Sequence, residues 1–264
     1  RAAGVQYDPT TYTLEGFVKT LLLVQAWFPN LLGYNWSGPS WSLSAEWFAY
    51  LLFPAYALIA MKLKTRPWAL LFLGALGFVV IDAVYGQMFG KVLPRAEDNM
   101  GILRILPEFL IGMALYGLGH QWHWPRPIAI AACVIASLGL LLAMQFSLDD
   151  RLVVALAAPV ILTWSMLAKA AEQGPLSSPL AVFSGEASFA LYLVHMPLLV
   201  AYKGIASELR GIDSGFYMSP LELAALFVVT VAAAAALHLG VEKPGRRWIR
   251  RRFEGRTPPP CGTV

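Results

Sequence analysis

The chain has 264 residues, 58% of them hydrophobic and only 14% charged, with a net charge of +4 and a mean hydropathy of +0.59. A soluble domain carries about a quarter charged residues, and here the apolar residues come in long blocks separated by short polar ones. That excludes a water-soluble globule and indicates a polytopic membrane protein.

A helix needs about 20 apolar residues to cross a bilayer, with about 17 tolerated. On that rule eight candidate spans follow in order: 14–31, 41–61, 68–86, 103–119, 128–146, 152–170, 183–203 and 220–240. The first is interrupted by Glu15, Lys19, Gln25 and Pro29. The apolar runs are continuous rather than alternating, which argues against strands. The predicted fold is therefore an all-α, polytopic transmembrane bundle of about eight spans. It occupies residues 1–241, and a basic tail, 242–264, follows. Cys133 lies in an apolar block and Cys261 in the tail, so no disulfide is expected. The chain opens at Arg1 with no basic-then-apolar signal pattern, and it reads as beginning partway through a longer protein.

Loop charge sets the expected orientation. Lys62, Lys64, Arg66, Arg126, Lys169 and the KPGRRWIRRRFEGR tail share one side, which is assigned to the cytoplasm. Lys91, Arg95, Arg104, Arg151, Lys203 and Arg210 fall opposite, diluted by Glu97, Asp98, Asp149, Asp150, Glu208 and Asp213. Seven of the twenty basic residues lie between Lys243 and Arg256. VEKPGRRWIRRRF reads either as a short helix lying on the membrane, with Trp248, Ile249 and Phe253 inserted, or as a topology-fixing flank. The final TPPPCGTV is expected to be disordered.

Three places in this apolar sequence carry candidate chemistry. In PSWSLSAEWFAYLLFP, Pro39 and Ser40 mark a helix start, and Ser42, Glu46 and Tyr50 fall on one face at i, i+4, i+8. An ionisable group within a span is costly, and Glu46 is a functional-site candidate by default. The alternative is a buried carboxylate tying two helices together. In FSGEASFALYLVHMPLLV, Ser188, Tyr192 and His195 share a face, and Pro197 predicts a kink beside the histidine. An imidazole there can act as acid, base or donor, or simply be a packed, hydrogen-bonded residue. In RILPEFLIGMALYG, Arg104 and Glu108 are spaced to pair along a helix, which reads most simply as a membrane-edge ion pair, and Gly112 would admit a close helix neighbour. His120 and His123 have HxxH spacing but no third ligand nearby, so no metal is expected. There is no phosphate-cradling glycine loop, no GxSxG elbow and no CxxC pair. Apart from the basic tail, nothing suggests nucleic-acid binding.

WSLSAEWFAYLLFP resembles the WSLxxExxFY signature of the membrane acyltransferase-3 family, and FSGEASFALYLVHMPLL resembles that family's S-x-x-LYLxHxP segment. RILPEFLIGM is similar to its R-x-x-x-F-x-x-G helix, with one residue more between Arg104 and Phe109, and VEKPGRRWIRRRF resembles its closing E-x-P-x-R motif. The four blocks occur in the family's order from Trp41 to Phe253. The resemblance implies an integral-membrane enzyme of the bacterial plasma membrane, with a cytoplasmic C-terminus. Such an enzyme moves an acyl group from acyl-CoA, acetyl-CoA being the expected form, to a hydroxyl of a polysaccharide, glycolipid or small natural product. Acyl-CoA would be a co-substrate, with no bound cofactor.

The resemblance also places Trp41, Ser42, Glu46, Arg104, Tyr192 and His195 around a central cavity; Tyr50, Glu108 and Ser188, on the same faces, complete the expected lining. Glu46 and His195 are the expected catalytic pair. The family's usual Arg–His pair on a first helix is not in this chain, and the resemblance assigns the general base to that upstream histidine, with His195 or Glu46 as its polar partner. The rival reading is a proton-coupled transporter or flippase relaying protons through Glu46 and His195, although the WSLSAEW block has no second copy. A non-catalytic membrane scaffold is a third.

Overall fold

The computed structural model describes residues 12–30, 36–97, 99–170, 177–213 and 215–254, and within them the regular structure is entirely helical. The opening residues 1–11 and the TPPPCGTV tail lie outside the described residues. The helices in order are α1 (Leu14–Leu21), α2 (Trp41–Leu51), α3 (Phe53–Leu63), α4 (Pro67–Phe89), α5 (Ile102–Gln121), α6 (Arg126–Gln145), α7 (Asp150–Ala170), α8 (Pro179–Arg210), α9 (Pro220–Leu237) and α10 (Lys243–Glu254). They fall into two compact units, α1–α7 and α8–α10.

Six described helices are long and apolar enough to cross a membrane: α4, α5, α6, α7, α8 and the α9–α10 run. A seventh span results if α2 and α3 count as one. The estimate of about eight is close, and the difference lies at the first expected span. Only eight residues there are helical, roughly 12 Å of rise against a hydrocarbon core of about 30 Å. The chain leaves α1 through Leu23 at φ 55°. Gln25 is then buried, its amide donating to both the Ser40 carbonyl and the Ser40 hydroxyl at 2.9 Å. The interrupting polar residue is an anchor to α2, and α1 by itself is too short to cross.

The second expected span, 41–61, is bent by 62° between α2 and α3. Pro54, in the first turn of α3, has no N–H to offer the preceding turn, and the ladder breaks at Leu52.

In the first unit α5 is the hub, packing against α4, α2 and α7, while α6 pairs with α7. Close approach to α4 depends on Gly74, where a β-carbon would stand 2.7 Å from Ile111 Cγ1 and 3.1 Å from the Pro107 carbonyl. Gly112, expected to serve as that contact, faces open space instead. The segment before α2 is held from two sides. Ser44 Oγ accepts from the Ala26 N–H at 3.2 Å, and its carbonyl accepts from Trp27 Nε1 at 2.9 Å. On the other side Met100 and Ile102 N–H donate to the carbonyls of Phe28 and Ala26 at 3.3 Å. These bonds fix the start of α5 beside the start of α2.

In the second unit α8 pairs with α9. The α8 helix runs continuously through Pro197. A capping box between Ser219 and Glu222 opens α9. A π-turn, His238–Glu242, carries α9 into α10, with Lys243 N–H reaching back to the His238 carbonyl. Pro244 explains the wide turn, since a regular helix would clash there. The basic segment continues from α9 through this turn without a break. The expected boundary at 241/242 falls inside this turn.

Replacing Gly74 by valine is expected to destabilise the protein by about 1–3 kcal/mol through overpacking, while Gly112→Ala leaves stability within about 0.5 kcal/mol. Thermal unfolding of both variants in detergent checks this. Equal losses would contradict the assigned α4–α5 contact.

Candidate active site

The start of α5 brings together three of the residues singled out in the sequence. Arg104 Nε donates to Glu108 Oε1 at 2.8 Å, and Nη1 donates to the Pro94 carbonyl at 2.8 Å. The guanidinium carbon lies 5.5 Å from the centre of the Trp41 ring, in cation–π range. Gly101, one turn earlier, makes room for that indole: a β-carbon there would sit 3.2 Å from Trp41 Cε3. Both charged side chains are about three-quarters buried. Arg104 thus has its fork satisfied in three directions, by a carboxylate, a carbonyl and an aromatic face, an arrangement suited to arginine rather than lysine.

Glu46 is placed differently. The face of α2 that packs within its unit is Ser44, Ala45 and Ala49. The polar stripe expected to point into a bundle interior is displaced from it: Ser42 is half-buried, and Glu46 and Tyr50 are exposed. The Tyr50 hydroxyl interacts with the Glu46 carboxylate one turn away, so the two act as one polar patch on an open helix face.

On α8, His195 is half-buried, and its Nδ1 lies 2.6 Å from the Tyr192 carbonyl. A carbonyl only accepts, so in the neutral ring this contact puts the proton on Nδ1 and leaves the Nε2 lone pair available as a base. The Tyr192 ring is tilted against the imidazole with centres 5.8 Å apart. Ser188 is exposed, its hydroxyl donating to the Gly185 carbonyl at 2.8 Å. Ser188, Tyr192 and His195 belong to the second unit, and Trp41, Ser42, Glu46, Tyr50, Arg104 and Glu108 to the first.

Two further clusters were not singled out in the sequence. Asp82, within α4, is buried; one oxygen accepts from the Leu93 N–H at 2.7 Å and the other from Arg151 Nε at 2.8 Å. It ties the turn after α4 to the start of α7, and an Arg95–Asp150 pair joins the same two segments. The Asp150 carboxylate, by hydrogen bond and by charge, holds the Arg95 guanidinium above its ordinary value. The signal for Asp82 was the one that marked Glu46, a carboxylate inside an apolar run.

His238 is the second. It is fully buried at the π-turn, with Nδ1 3.0 Å from Glu242 and Nε2 3.5 Å from Glu186 on α8, and Phe183 meets the ring edge-on. Glu186 comes from another helix, whereas Glu242 stands at i+4 from the histidine, a spacing the sequence does show, and π-turns gather at functional sites.

Comparison with known proteins gives a consistent picture. The acyltransferase-3 family, described as an acyltransferase domain, matches residues 4–239. The acyltransferase MdmB of Streptomyces mycarofaciens is 31% identical over 274 aligned residues, covering 94% of this chain and 68% of that protein. No solved structure matches.

Arg104→Lys keeps the charge beside Glu108 but loses the fork that reaches Pro94 and lies over Trp41. An acyl-transfer rate about tenfold lower is expected from roughly 1–2 kcal/mol of lost positioning. Initial rates of the variant in proteoliposomes test this, and an unchanged rate would remove Arg104 from the site.

Proposed function

Because the chain belongs to the acyltransferase-3 family and is a membrane acyltransferase, we propose that it moves an acyl group from an acyl-CoA thioester to a hydroxyl of a carbohydrate or other small acceptor. Acetyl-CoA is the donor this reading favours. The membrane is a bacterial plasma membrane, and the arginine-rich end of α10 lies on its cytoplasmic side, where positive loops are retained.

The observation that carries the chemistry is the state of His195. With Nδ1 held by the Tyr192 carbonyl, Nε2 is the atom that takes the proton of the acceptor hydroxyl as its oxygen attacks the thioester carbonyl. The C–O bond forms, the C–S bond breaks, and the proton passes from the imidazolium to the departing thiolate, releasing coenzyme A as its thiol. General base catalysis of this kind contributes about 10²–10⁴-fold.

Glu46 serves as an anionic hydrogen-bond acceptor for the substrate, with Tyr50 as its hydroxyl neighbour. Both side chains are exposed on one face of α2. This supports placing the open face of α2 toward the reaction space. Arg104, satisfied by Glu108, Pro94 and Trp41, contributes fixed positive charge and takes no proton.

Glu46→Gln is expected to abolish transfer of radiolabelled acetyl groups from acetyl-CoA while membrane insertion and thermal stability stay at wild-type levels. His195→Ala is expected to lower the rate by about 10²–10⁴-fold. Wild-type turnover by Glu46→Gln would overturn the role given to that carboxylate, and a His195→Ala loss below about tenfold would exclude it as the base.

A further inference from the structure

A cleft of about 390 Å³ opens between α4, α5 and α7. Most of its wall is apolar, much of it made by small residues such as Ala75, Gly112, Ala155 and Ala158. Its only charged lining groups are Arg104, Glu108 and Arg151. Those three stand near the beginnings of α5 and α7, so the cleft has a charged end and an apolar end. From Arg104 to Leu115 along α5, and from Arg151 to Ile161 along α7, its walls run about 15 Å at 1.5 Å per residue. That is the depth of one leaflet of a hydrocarbon core about 30 Å thick.

The charged end adjoins two polar crevices. Val154 lines both the cleft and the nearer crevice, and Pro94, which lines that crevice, accepts the Arg104 hydrogen bond. The larger crevice, of about 630 Å³, shares Lys91, Arg95, Asp150 and Val153 with the nearer one. Together the crevices present Lys91 and Arg95 against Glu97, Asp149 and Asp150. Arg95 is paired with Asp150, and Asp149 with Arg151 at the neck, so these charges largely cancel, which favours an uncharged head over a polyanionic one such as the phosphates of coenzyme A. A neutral head with many hydroxyls finds both donors and acceptors there.

Building on the acyl-transfer reading above, we propose that the acceptor is an amphiphile: a neutral, hydroxyl-bearing head seated in the crevices beside Arg95 and Asp150, joined to a single apolar chain that fills the α4–α5–α7 cleft. The charged neck of Arg104, Glu108 and Arg151 marks the depth at which head passes into chain. Its hydroxyls are thereby presented at the membrane surface while the chain is held at leaflet depth. Gly112 leaves the cleft open, since nothing lies within 4 Å of where its β-carbon would be.

The test uses dodecyl glucoside carrying a diazirine in its chain, photolysed with the protein in phosphatidylcholine vesicles. The expected result is label on peptides of α5 and α7, displaced by unlabelled dodecyl glucoside and not by palmitoyl-CoA. Gly112→Leu and, independently, Ala158→Phe are expected to lower that labelling about tenfold by filling the space the chain occupies. Both are expected to slow acyl transfer to dodecyl glucoside while sparing transfer to glucose. Displacement by palmitoyl-CoA would overturn the proposal by giving the cleft to the donor chain. Labelling unchanged in both folded variants would overturn it by making the cleft an ordinary lipid-facing groove. Cleft labelling as expected, with no transfer to any hydroxyl, would overturn the acceptor role and the acyl-transfer reading while leaving the amphiphile site in place.

Discussion

The ion pair between Arg104 and Glu108 is the interaction on which the first helical unit depends. Moving either charge alone out of water costs several kcal/mol, and a mutual contact offsets that only when the remaining polar atoms are satisfied as well. Here they are. The guanidinium also reaches the Pro94 carbonyl and lies against the Trp41 ring, so one side chain connects the start of α5, the turn after α4 and the start of α2. Asp82 performs a similar task nearby, joining α4 to the Leu93 N–H and to Arg151 at the start of α7. Charges that would be expensive singly are placed so that each pair fastens two or three elements. The apolar faces of the same helices are left free for lipid or substrate.

That economy of charge separates the structural groups from the reactive ones. Arg104, Glu108, Asp82 and Arg151 are all engaged by protein partners, and this makes them positioning residues. The groups with reactive capacity to spare are Glu46, exposed on α2 beside Tyr50, and His195, whose Nε2 is left with a lone pair by the Nδ1 contact to Tyr192. The second unit repeats the division. His238 is buried, with Nδ1 held by Glu242 and Nε2 3.5 Å from Glu186 without a hydrogen bond to it. His195, farther along α8, is not enclosed in this way.

The sequence was most readable where a single physical rule dominates. Long apolar runs became the helices α4 to α9, and the i, i+4 spacing of Arg104 and Glu108 became an ion pair. It was least readable where a polar residue inside an apolar run had two possible uses. Gln25 looked like a blemish in a span; it is an anchor to Ser40. Asp82 met the criterion applied to Glu46, yet its partners, Leu93 and Arg151, lie in other elements and no helical period connects them. Gly112 was read as a packing glycine and instead opens a cleft, while Gly74 makes the contact. Helical spacing correctly grouped Ser42, Glu46 and Tyr50 on one face. It could not say which face packs, because Ala45 and Ala49 suit burial on sterics that hydrophobicity alone does not register.

The most direct measurement of the central claim follows the acyl group itself. The purified protein in vesicles would be incubated with carbon-13-labelled acetyl-CoA and a panel of hydroxyl-bearing acceptors, and the products separated and analysed by mass spectrometry. The account predicts that the label appears as an oxygen ester on an acceptor, sensitive to hydroxylamine, with one free coenzyme A thiol released for each ester formed. Label remaining in acetyl-CoA or appearing only as free acetate, across acceptors with and without an apolar chain, would contradict it.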